Sequence, residues 1–527
     1  MKTTLTKYIL FSGVLAFVLL SCTGDLDQEP ANEITSANVY NDFNNYKAIL
    51  AKAYAGFALT GARGPEGDPD IRGGNEGFSS YLRQYWQLQE LSTDEAVIGW
   101  NDAGLPNLHY MDWTSTNQFV ETLYYRIFYQ VSICNEFIRE TTDEKLSGRN
   151  ITGAQLAEAK VFRAEARFLR ALSYWHALDL FGNVPFVTEE DKVGSFFPEQ
   201  TTRAALFAYL ESELTAIESE LVPARQNEYA RADQAAAWTL LTKLYLNAEV
   251  YIGQPRYTEA ITYANKVIGA GYLLEDKYGD LFLTDNDESE EIIFPIAFDG
   301  LRTQTYGGMV YLVHGPIPIS SGSEYGIDGG WGGMRVTENI VNLFPDVNAD
   351  TDEREMFYTT GHNVAVETIA AFTDGYTVIK YKNISSTGVP GSHLTFVDTD
   401  FPMFRLADVY LMYAEAVLRG GMGGERTTAL DYVNDLRERA YNNTNGNITD
   451  PQLTLNFILD ERGRELTCEG HRRTDLIRYK KFTEDTYLWS WKGGVRNGRG
   501  VESYRTLYPI PLSDKIANPN LEQNGGY

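Results

Sequence analysis

Cysteine and histidine are scarce in this chain, with three cysteines and six histidines among 527 residues. Beyond the N-terminal region, only Cys134 and Cys468 remain; they lie far apart, with no CxxC spacing. No two histidines take metal-ligand spacing on one helix. These shortages argue against a zinc site and a redox motif. We interpret both cysteines as small buried hydrophobes within helices.

Positive charge is also in short supply, since 45 lysines and arginines face 72 acidic residues and leave a net charge of −27. Affinity for nucleic acid rests mainly on cations that neutralise phosphates, so the acid excess argues against a nucleic-acid partner. It does not disfavour a neutral ligand. The arginine-rich segment 460–481 is better explained by ion pairs along helices, because Asp460 precedes Arg464 by four residues and Glu469 precedes Arg472 by three.

Catalytic motifs are missing as well. The sequence has no nucleophile elbow, phosphate loop, dinucleotide fingerprint or HExxH. Its 72 acidic residues offer many carboxylate pairs for glycoside hydrolysis, but no pair is singled out by its context. We therefore predict a protein that is not an enzyme. A glycosidase with two carboxylates beside a sugar site is the alternative.

Only one stretch is apolar for long, from Ile9 to Leu20, and two lysines precede it. It is short for a membrane span, which predicts a targeting segment over residues 1–21. The run ends at Ser21-Cys22, which resembles the lipobox of bacterial lipoproteins, where the cysteine is acylated and becomes the first mature residue. An ordinary signal peptide with an incidental cysteine is the alternative. Acylation of Cys22 would hold the chain on a membrane without a spanning helix.

Residues 22–35 read as a polar tether, and the acids within it resemble the surface-export signal of Bacteroidetes lipoproteins. The remaining residues, 36–527, are predicted to form one domain. Helical periodicity runs through much of it. The main predicted helices are Asn38–Leu59, Asn117–Glu140, Ala154–Leu180, 203–222, Ala235–Tyr251, Tyr257–Ile268, Phe404–Leu418 and Arg426–Ala440.

Two pairs of these helices resemble tetratricopeptide hairpins, namely 235–268 and 404–440. Long segments at 271–333 and 346–402 lack helical period and are rich in glycine and β-branched residues. The predicted fold is mostly α, a tetratricopeptide-like helical hairpin scaffold with long irregular loop insertions. A few short strands are expected at Ile292–Phe298, Thr377–Tyr381 and Leu394–Val397.

Tryptophan on glycine-rich loops is the most informative feature that is present. Trp331 has two glycines on each side, and Trp100 follows Gly99 on a second loop. A displayed flat ring suits the apolar face of a pyranose sugar. The alternative is a ring that folds back onto the protein, since most tryptophans are largely buried. The acid clusters Asp285–Glu288 and Asp398–Asp400 suit oxygen ligation of calcium, although neither matches an EF-hand. Solvated loop acids are the alternative there.

Several segments, in the same order, resemble the SusD/RagB family of nutrient-binding lipoproteins of Bacteroidetes. Within that family, the starch-binding member looks most similar. The segments spread over nearly the whole chain. They are Arg163–Leu172, Phe181–Pro185, Phe404–Leu411, Ala414–Ala416, Glu461–Leu466, Glu469–Leu476, Tyr508–Pro511 and Asn524–Tyr527.

The resemblance implies a binding site for starch and other α-1,4-glucans. Trp100, Tyr306 and Trp331 would form an aromatic arc that fits the curve of the glucan, with Arg83 nearby. The remaining polar contact falls on Asn101 or Asp102, because the loop after Trp100 is one residue shorter than in the relative.

The resemblance also implies partners and a location. A structural calcium ion would fall on Asp287, Asp398 and Asp400. The protein would be anchored through Cys22 in the outer membrane, facing the cell exterior, and would deliver glycan to a SusC-like TonB-dependent transporter. Two alternatives stay open: the same fold with another glycan, and a subunit that only docks the transporter.

Overall fold

The computed structural model describes residues 39–65, 68–71, 77–194, 196–347 and 351–527. The predicted targeting segment, Cys22 and the tether lie outside these residues. The chain divides into two compact units, residues 1–46 and 47–527. The described part of the first unit contains the short 3-10 helix Phe43–Asn45. In the parts of the chain that the structure describes, no helix combines the length and apolarity needed to cross a bilayer.

The described residues form seventeen α-helices and eight short strands, which confirms the predicted, mostly helical fold class. The helices are α1 (Tyr46–Ala58), α2 (Tyr81–Glu90), α3 (Leu105–Tyr110), α4 (Gln118–Glu140), α5 (Asp143–Gly148), α6 (Gly153–Leu180), α7 (Arg203–Ile217), α8 (Gln234–Leu246), α9 (Ala248–Ile252), α10 (Tyr257–Ile268), α11 (Gly308–His314), α12 (Glu338–Val341), α13 (Leu406–Leu418), α14 (Arg426–Tyr441), α15 (Leu455–Glu465), α16 (Arg472–Arg478) and α17 (Leu512–Ala517).

The strands pair as four antiparallel ribbons of two strands each: β1 with β5, β2 with β3, β4 with β8, and β6 with β7. Their bounds are β1 (Ala96–Ile98), β2 (Val184–Pro185), β3 (Gln200–Thr201), β4 (Ile292–Ile296), β5 (Met334–Val336), β6 (Phe357–Tyr358), β7 (Thr377–Val378) and β8 (Phe401–Arg405).

Helix pairs build the scaffold. α4 packs on α6, α8 on α10, and α13 on α14, and α10 and α13 join the last two pairs. Both predicted hairpins are therefore present, consistent with the tetratricopeptide-like interpretation. Ala236, Ala260 and Ala264 are fully buried where α8 meets α10, because small side chains let two helix axes approach closely.

The longest helix, α6, matches its prediction to within one residue. It ends where the chain takes a left-handed conformation at Gly182 (φ 74°), and Pro185 lies just beyond. Trp175 lies in its buried stripe, at 4 % exposure, so that tryptophan belongs to the core. Cys134 is buried within α4 as predicted, whereas Cys468 is buried in a turn with φ 63° rather than in a helix.

Two local predictions were wrong. Leu394–Val397 forms no strand, because the ring Nδ1 of His393 accepts hydrogen bonds from the N–H groups of Thr395 and Phe396 and holds the segment as a turn. α11 was not predicted at all. All seven of its residues are buried, so it has no polar face to reveal a helical period.

The arginine-rich segment does form ion pairs, but mostly with distant parts of the chain. Arg472 pairs with Asp94 at 2.7 Å and Arg478 pairs with Glu415 at 2.6 Å. Within the segment, Arg464 and Glu461 do pair three residues apart on α15. Ion pairing was predicted correctly, but the named partners were wrong: Arg464 pairs with Glu461 and not Asp460, and Glu469 pairs with Lys380 and Arg405 and not Arg472.

Candidate functional site

The β1–β5 ribbon brings two loop tryptophans together. In this antiparallel pair Ile98 lies opposite Met334. The chain leaves β1 at the point where it enters β5, so Trp100, two residues beyond one strand, meets Trp331, three residues before the other. Two tryptophans that are far apart in sequence thus share one end of a ribbon.

Hydrogen bonds lock the two loops to each other beyond the ribbon. The N–H of Gly99 donates to the carbonyl oxygen of Gly333 at 2.9 Å. The indole Nε1 of Trp100 donates to the carbonyl oxygen of Gly332, also at 2.9 Å. The orientation of the Trp100 ring is therefore fixed by the loop that carries Trp331.

The two indole rings form a tilted pair. Their centroids are 6.1 Å apart and their planes meet at 52°. Both rings are half-buried, and that of Trp331 stacks on the ring of His314 at 5.1 Å and 29°. Trp331 is thus neither core nor fully displayed: one part of the ring is supported by the protein and the rest is accessible.

The glycines around Trp331 allow close packing rather than mobility. A Cβ on Gly330 would lie 2.0 Å from the carbonyl oxygen of Ile317. A Cβ on Gly333 would lie 2.7 Å from Nε1 of Trp100, and Gly333 has φ 95°, which side chains rarely adopt. The glycine-rich sequence is therefore required where one loop passes directly over another.

This packing predicts the effect of Gly333→Ala. The new Cβ would displace the Trp100 ring and strain the backbone, so we expect a loss of about 1–3 kcal/mol in the free energy of unfolding. Affinity for an α-glucan should fall as well. Gly388→Ala is the matched control, since Gly388 has φ 81° but nothing within 4 Å of its Cβ position. Thermal melts and glucan titrations that give equal results for the two variants would contradict this account.

Tyr306 lies at the other end of α11 from this pair. α11 starts two residues after Tyr306 and ends at His314, which supports Trp331, and seven residues of helix span about 10 Å. The half-buried Tyr306 ring packs against Phe396, with centroids 5.5 Å apart. The structure thus brings Trp100 and Trp331 into contact and places Tyr306 on a separate, neighbouring part of the surface.

Arg83 on α2 lies beneath the tryptophan pair. It is 8 % exposed, and its guanidinium carbon is 5.8 Å from the Trp100 ring centroid and 4.6 Å from that of Tyr311. Its buried Nε has no hydrogen-bond acceptor among the described residues. A buried donor without a partner is costly, and a ligand hydroxyl would satisfy it.

The loop after Trp100 brings the charge of Asp102 within range of Arg83. Burial lowers the pKa of Arg83, while Tyr311 and Asp102 act in the opposite direction. Both Asn101 and Asp102 are exposed. Asn101 and Asp102 therefore both stay candidates for the remaining polar contact.

Sequence reasoning missed Tyr311 and His314, which support the site from α11. Tyr311 contacts the Trp100 ring edge-on at 5.8 Å and also accepts a hydrogen bond from Gln87 at 3.0 Å. The His314 ring stacks on Trp331, and its two nitrogens lie within hydrogen-bond distance of the carbonyl oxygens of Gly329 and Thr395. In the sequence, both residues lie in an apolar run after two glycines. Such a run does not show whether a residue supports a site residue or only packs in the core.

The three aspartates of the predicted calcium site lie near one another. Burial raises the pKa of Asp400 to about 7, and the charges of Asp287 and Asp398 add to the effect. Asp398 accepts hydrogen bonds from the N–H groups of Gly300 and Ser392. Asp400 accepts one from the N–H of Phe298 and one from the hydroxyl of Tyr229. Among the described residues, no group of three histidine, cysteine, aspartate or glutamate side chains is placed so that it could hold a metal ion. Calcium binding stays a prediction.

Two buried glutamates lie under the strand that leads to Trp100. Glu90 accepts hydrogen bonds from the N–H groups of Gly470 and His471, and Glu95 accepts one from Cys468. Burial raises the pKa of both carboxyl groups, and the charge of Glu95 adds to the effect at Glu90. Asp94 and Arg472 also act on Glu95, in opposite directions.

These raised values predict a pH dependence of stability. A carboxyl group whose pKa is raised by folding stabilises the protein while it is protonated. That stabilisation is lost as pH rises from the ordinary pKa of a glutamate, about 4.3, through the folded-state pKa. Relative to Glu90→Gln, the wild type should lose unfolding free energy as pH rises from 5 to 8, because deprotonation of the buried Glu90 is disfavoured in the folded state. Denaturant titrations at each pH measure that difference, in which the buried histidines cancel. A constant difference across this range would contradict the prediction.

Comparison with known proteins places the chain in a family. A sequence profile of the SusD family matches residues 369–527. The chain is 37 % identical to the starch-binding protein SusD of Bacteroides thetaiotaomicron, over 99 % of this chain and 100 % of that protein.

Two solved structures share the fold. One is a SusD superfamily protein from Parabacteroides distasonis, with a TM-score of 0.71, 22 % identity, and coverage of 94 % of this chain and 100 % of that one. The other is surface glycan-binding protein A from Bacteroides thetaiotaomicron in complex with laminarihexaose, with a TM-score of 0.69, 20 % identity, and coverage of 91 % and 99 %. With a full-length relative at this level of identity, the chain belongs to the SusD family.

Proposed function

We propose that this protein binds starch and other α-1,4-glucans at the cell surface, without catalysis, and delivers them to a TonB-dependent transporter in the outer membrane. Its binding site is the tilted pair Trp100 and Trp331, with Arg83 and either Asn101 or Asp102 as polar contacts and Tyr306 as the third ring. The relative that matches over its full length is named as a starch-binding protein, which supports this assignment.

The observation that carries the proposal is the angle of 52° between the two indole planes. α-1,4-linked glucose units turn progressively, so successive sugar faces along the chain point in different directions. Two rings tilted at 6.1 Å suit such a curved chain, whereas a flat glucan would need coplanar rings. The ribbon and the indole hydrogen bond fix this tilt before ligand arrives, which limits the entropy lost on binding.

Another glycan is the main competitor. A fold neighbour was solved with laminarihexaose, so this fold also serves a β-linked glucan. At 20 % identity that likeness concerns the fold alone. The two possibilities differ in a property that is simple to measure, namely which polysaccharide the protein retains.

Affinity electrophoresis in native gels tests the proposal. Gels containing amylopectin or pullulan should retard the protein, and gels containing dextran or β-glucan should not. Retardation by β-glucan or dextran alone would favour another glycan. No retardation in any gel would favour a subunit that only docks the transporter. Release of reducing sugar from amylopectin by the purified protein would contradict the non-catalytic assignment.

Surface anchoring rests on Cys22, which lies outside the described residues. Growing cells with radiolabelled palmitate should label the wild type but not Cys22→Ala, and the variant should no longer pellet with outer membranes. A tethered binder needs only weak affinity at each site, because anchoring and the repeated units of a polymer raise the effective concentration. Labelling of Cys22→Ala, or a wild type without label, would contradict the anchor.

The predicted calcium ion at Asp287, Asp398 and Asp400 has its own test. If calcium binds there, calcium should raise the melting temperature above that in chelator, and Asp398→Asn should remove the difference. Asp431→Asn, at an exposed position of α14, is the control. Equal melting temperatures with calcium and with chelator would contradict the prediction.

A further inference from the structure

The loop 363–375 presents an apolar ring beside Trp100. Phe372 lies near the end of this loop, next to Thr373, whose carbonyl oxygen accepts a hydrogen bond from the N–H of Asn363, and is 37 % exposed, unlike the buried phenylalanines of the core. Single exposed apolar side chains are common on protein surfaces and need no explanation. Phe372 differs because of where it lies, directly against the two loops that carry the tryptophans.

Three glycines make room for the Phe372 ring. A Cβ on Gly99 would lie 2.7 Å from the ring, one on Gly332 would lie 3.3 Å from it, and one on Gly333 would lie 3.1 Å from it. The Gly333 position is also 2.7 Å from Nε1 of Trp100. The Phe372 and Trp100 rings therefore approach each other across one glycine, with no side chain between them at that point.

A buried arginine holds the loop in place. Arg335 in β5 donates to the carbonyl oxygen of Ala371 at 2.7 Å and to that of Ile369. It is fully buried and forms no ion pair with a described carboxylate, and its guanidinium carbon lies 6.0 Å from the centroid of the Phe372 ring. Because burial of a charge is costly, the two carbonyl acceptors and the charge of Asp374 in the same loop offset part of that cost.

The middle of the loop is held by further contacts. Val366 and Ile369 pack with Val97 of β1 in one buried cluster. The indole Nε1 of Trp491 donates to the carbonyl oxygen of Val366 at 2.9 Å. Loop and ribbon are thus built as one rigid support, so the position of Phe372 relative to Trp100 is set before any ligand binds.

We propose that Phe372 is a further ligand-contact ring, which binds a sugar unit beyond those on Trp100 and Trp331. This inference rests on the proposed function of the tryptophan pair. It extends that surface from two adjacent rings to three. Its consequence is a dependence on chain length: an oligosaccharide that fills only the tryptophan pair gains nothing from Phe372, whereas a longer one does.

Calorimetric titration with maltotriose and maltoheptaose tests this proposal in the full-length protein. Phe372→Ala should weaken maltoheptaose binding on the order of tenfold, about 1.4 kcal/mol, and change maltotriose binding less than about twofold. Phe372→Tyr keeps a ring and should bind both sugars as the wild type does. Phe197→Ala is the matched control, because Phe197 is 59 % exposed and lies beside the C-terminal segment, where its carbonyl accepts a hydrogen bond from Asn520.

Each outcome separates this inference from the function on which it rests. Unchanged maltoheptaose binding in Phe372→Ala, with binding lost in Trp100→Ala, would overturn the role of Phe372 and leave the proposed function standing. Equal weakening of both sugars in Phe372→Ala, or the same weakening in Phe372→Tyr, would indicate a structural role and also overturn it. A wild type that binds neither sugar would overturn both.

Discussion

Trp100→Ala is expected to abolish most α-glucan binding while the protein stays folded. The ring is half-buried, packs on Trp331 and lies over Arg83, so it combines contact with the sugar and support for its neighbours. Aromatic residues in such positions contribute about 2 kcal/mol or more to binding. The dissociation constant for maltoheptaose should therefore rise by about 30-fold or more, measured by calorimetry.

A matched control separates contact from stability. Trp238 on α8 is also half-buried but lies under Lys266, outside the site, so Trp238→Ala should leave binding unchanged. Trp100→Ala also loses the hydrogen bond to Gly332, which contributes about 1 kcal/mol to stability. Full glucan affinity in Trp100→Ala would remove this residue from the site.

Arg405→Met is expected to cause the largest loss of stability. Arg405 is 1 % exposed and pairs with three buried glutamates, Glu291, Glu465 and Glu469, at 2.9, 2.7 and 2.7 Å. Removing one partner of a buried ion pair leaves uncompensated charge and costs about 3–5 kcal/mol. Chemical denaturation should show this loss at neutral pH.

The same network predicts how that loss depends on pH. The cluster of Arg439, Arg405 and Arg354 outweighs the effect of burial and lowers the pKa of Glu465. Without Arg405 that pKa should rise, so Glu465 can be protonated at milder acidity and the difference from the wild type should shrink as pH falls toward 4. Arg302→Met is the control, because Arg302 is highly exposed and such surface pairs contribute little. A loss no greater than that of Arg302→Met would contradict the role of Arg405.

The long helices could be predicted from sequence because each buries one stripe and leaves the opposite face polar. α6 and α10 were placed to within one residue for this reason. α11 could not be predicted, since burial on all sides removes the periodic signal. The ion pairs of Arg472 and Arg478 could not be predicted either, because their partners Asp94 and Glu415 come from distant parts of the chain.

The candidate site shows the same division. The neighbouring glycines identified Trp100 and Trp331 as candidate site residues. The structure shows why a glycine is needed at 333: a side chain there would collide with the loop that carries Trp100. Nothing in the spacing of the sequence pairs β1 with β5, so the contact between the rings could only be expected from the family resemblance. Tyr311 and His314 were missed because support for a ring looks like core in a sequence.

A crystal structure of the complex with maltoheptaose tests the central claim most directly. Successive glucose units should lie on the accessible faces of Trp331 and Trp100, and the guanidinium of Arg83 should donate to a glucose hydroxyl. The tilt between the two rings should stay near the 52° of the free protein. Glucan bound elsewhere, with both rings uncovered, would contradict the account.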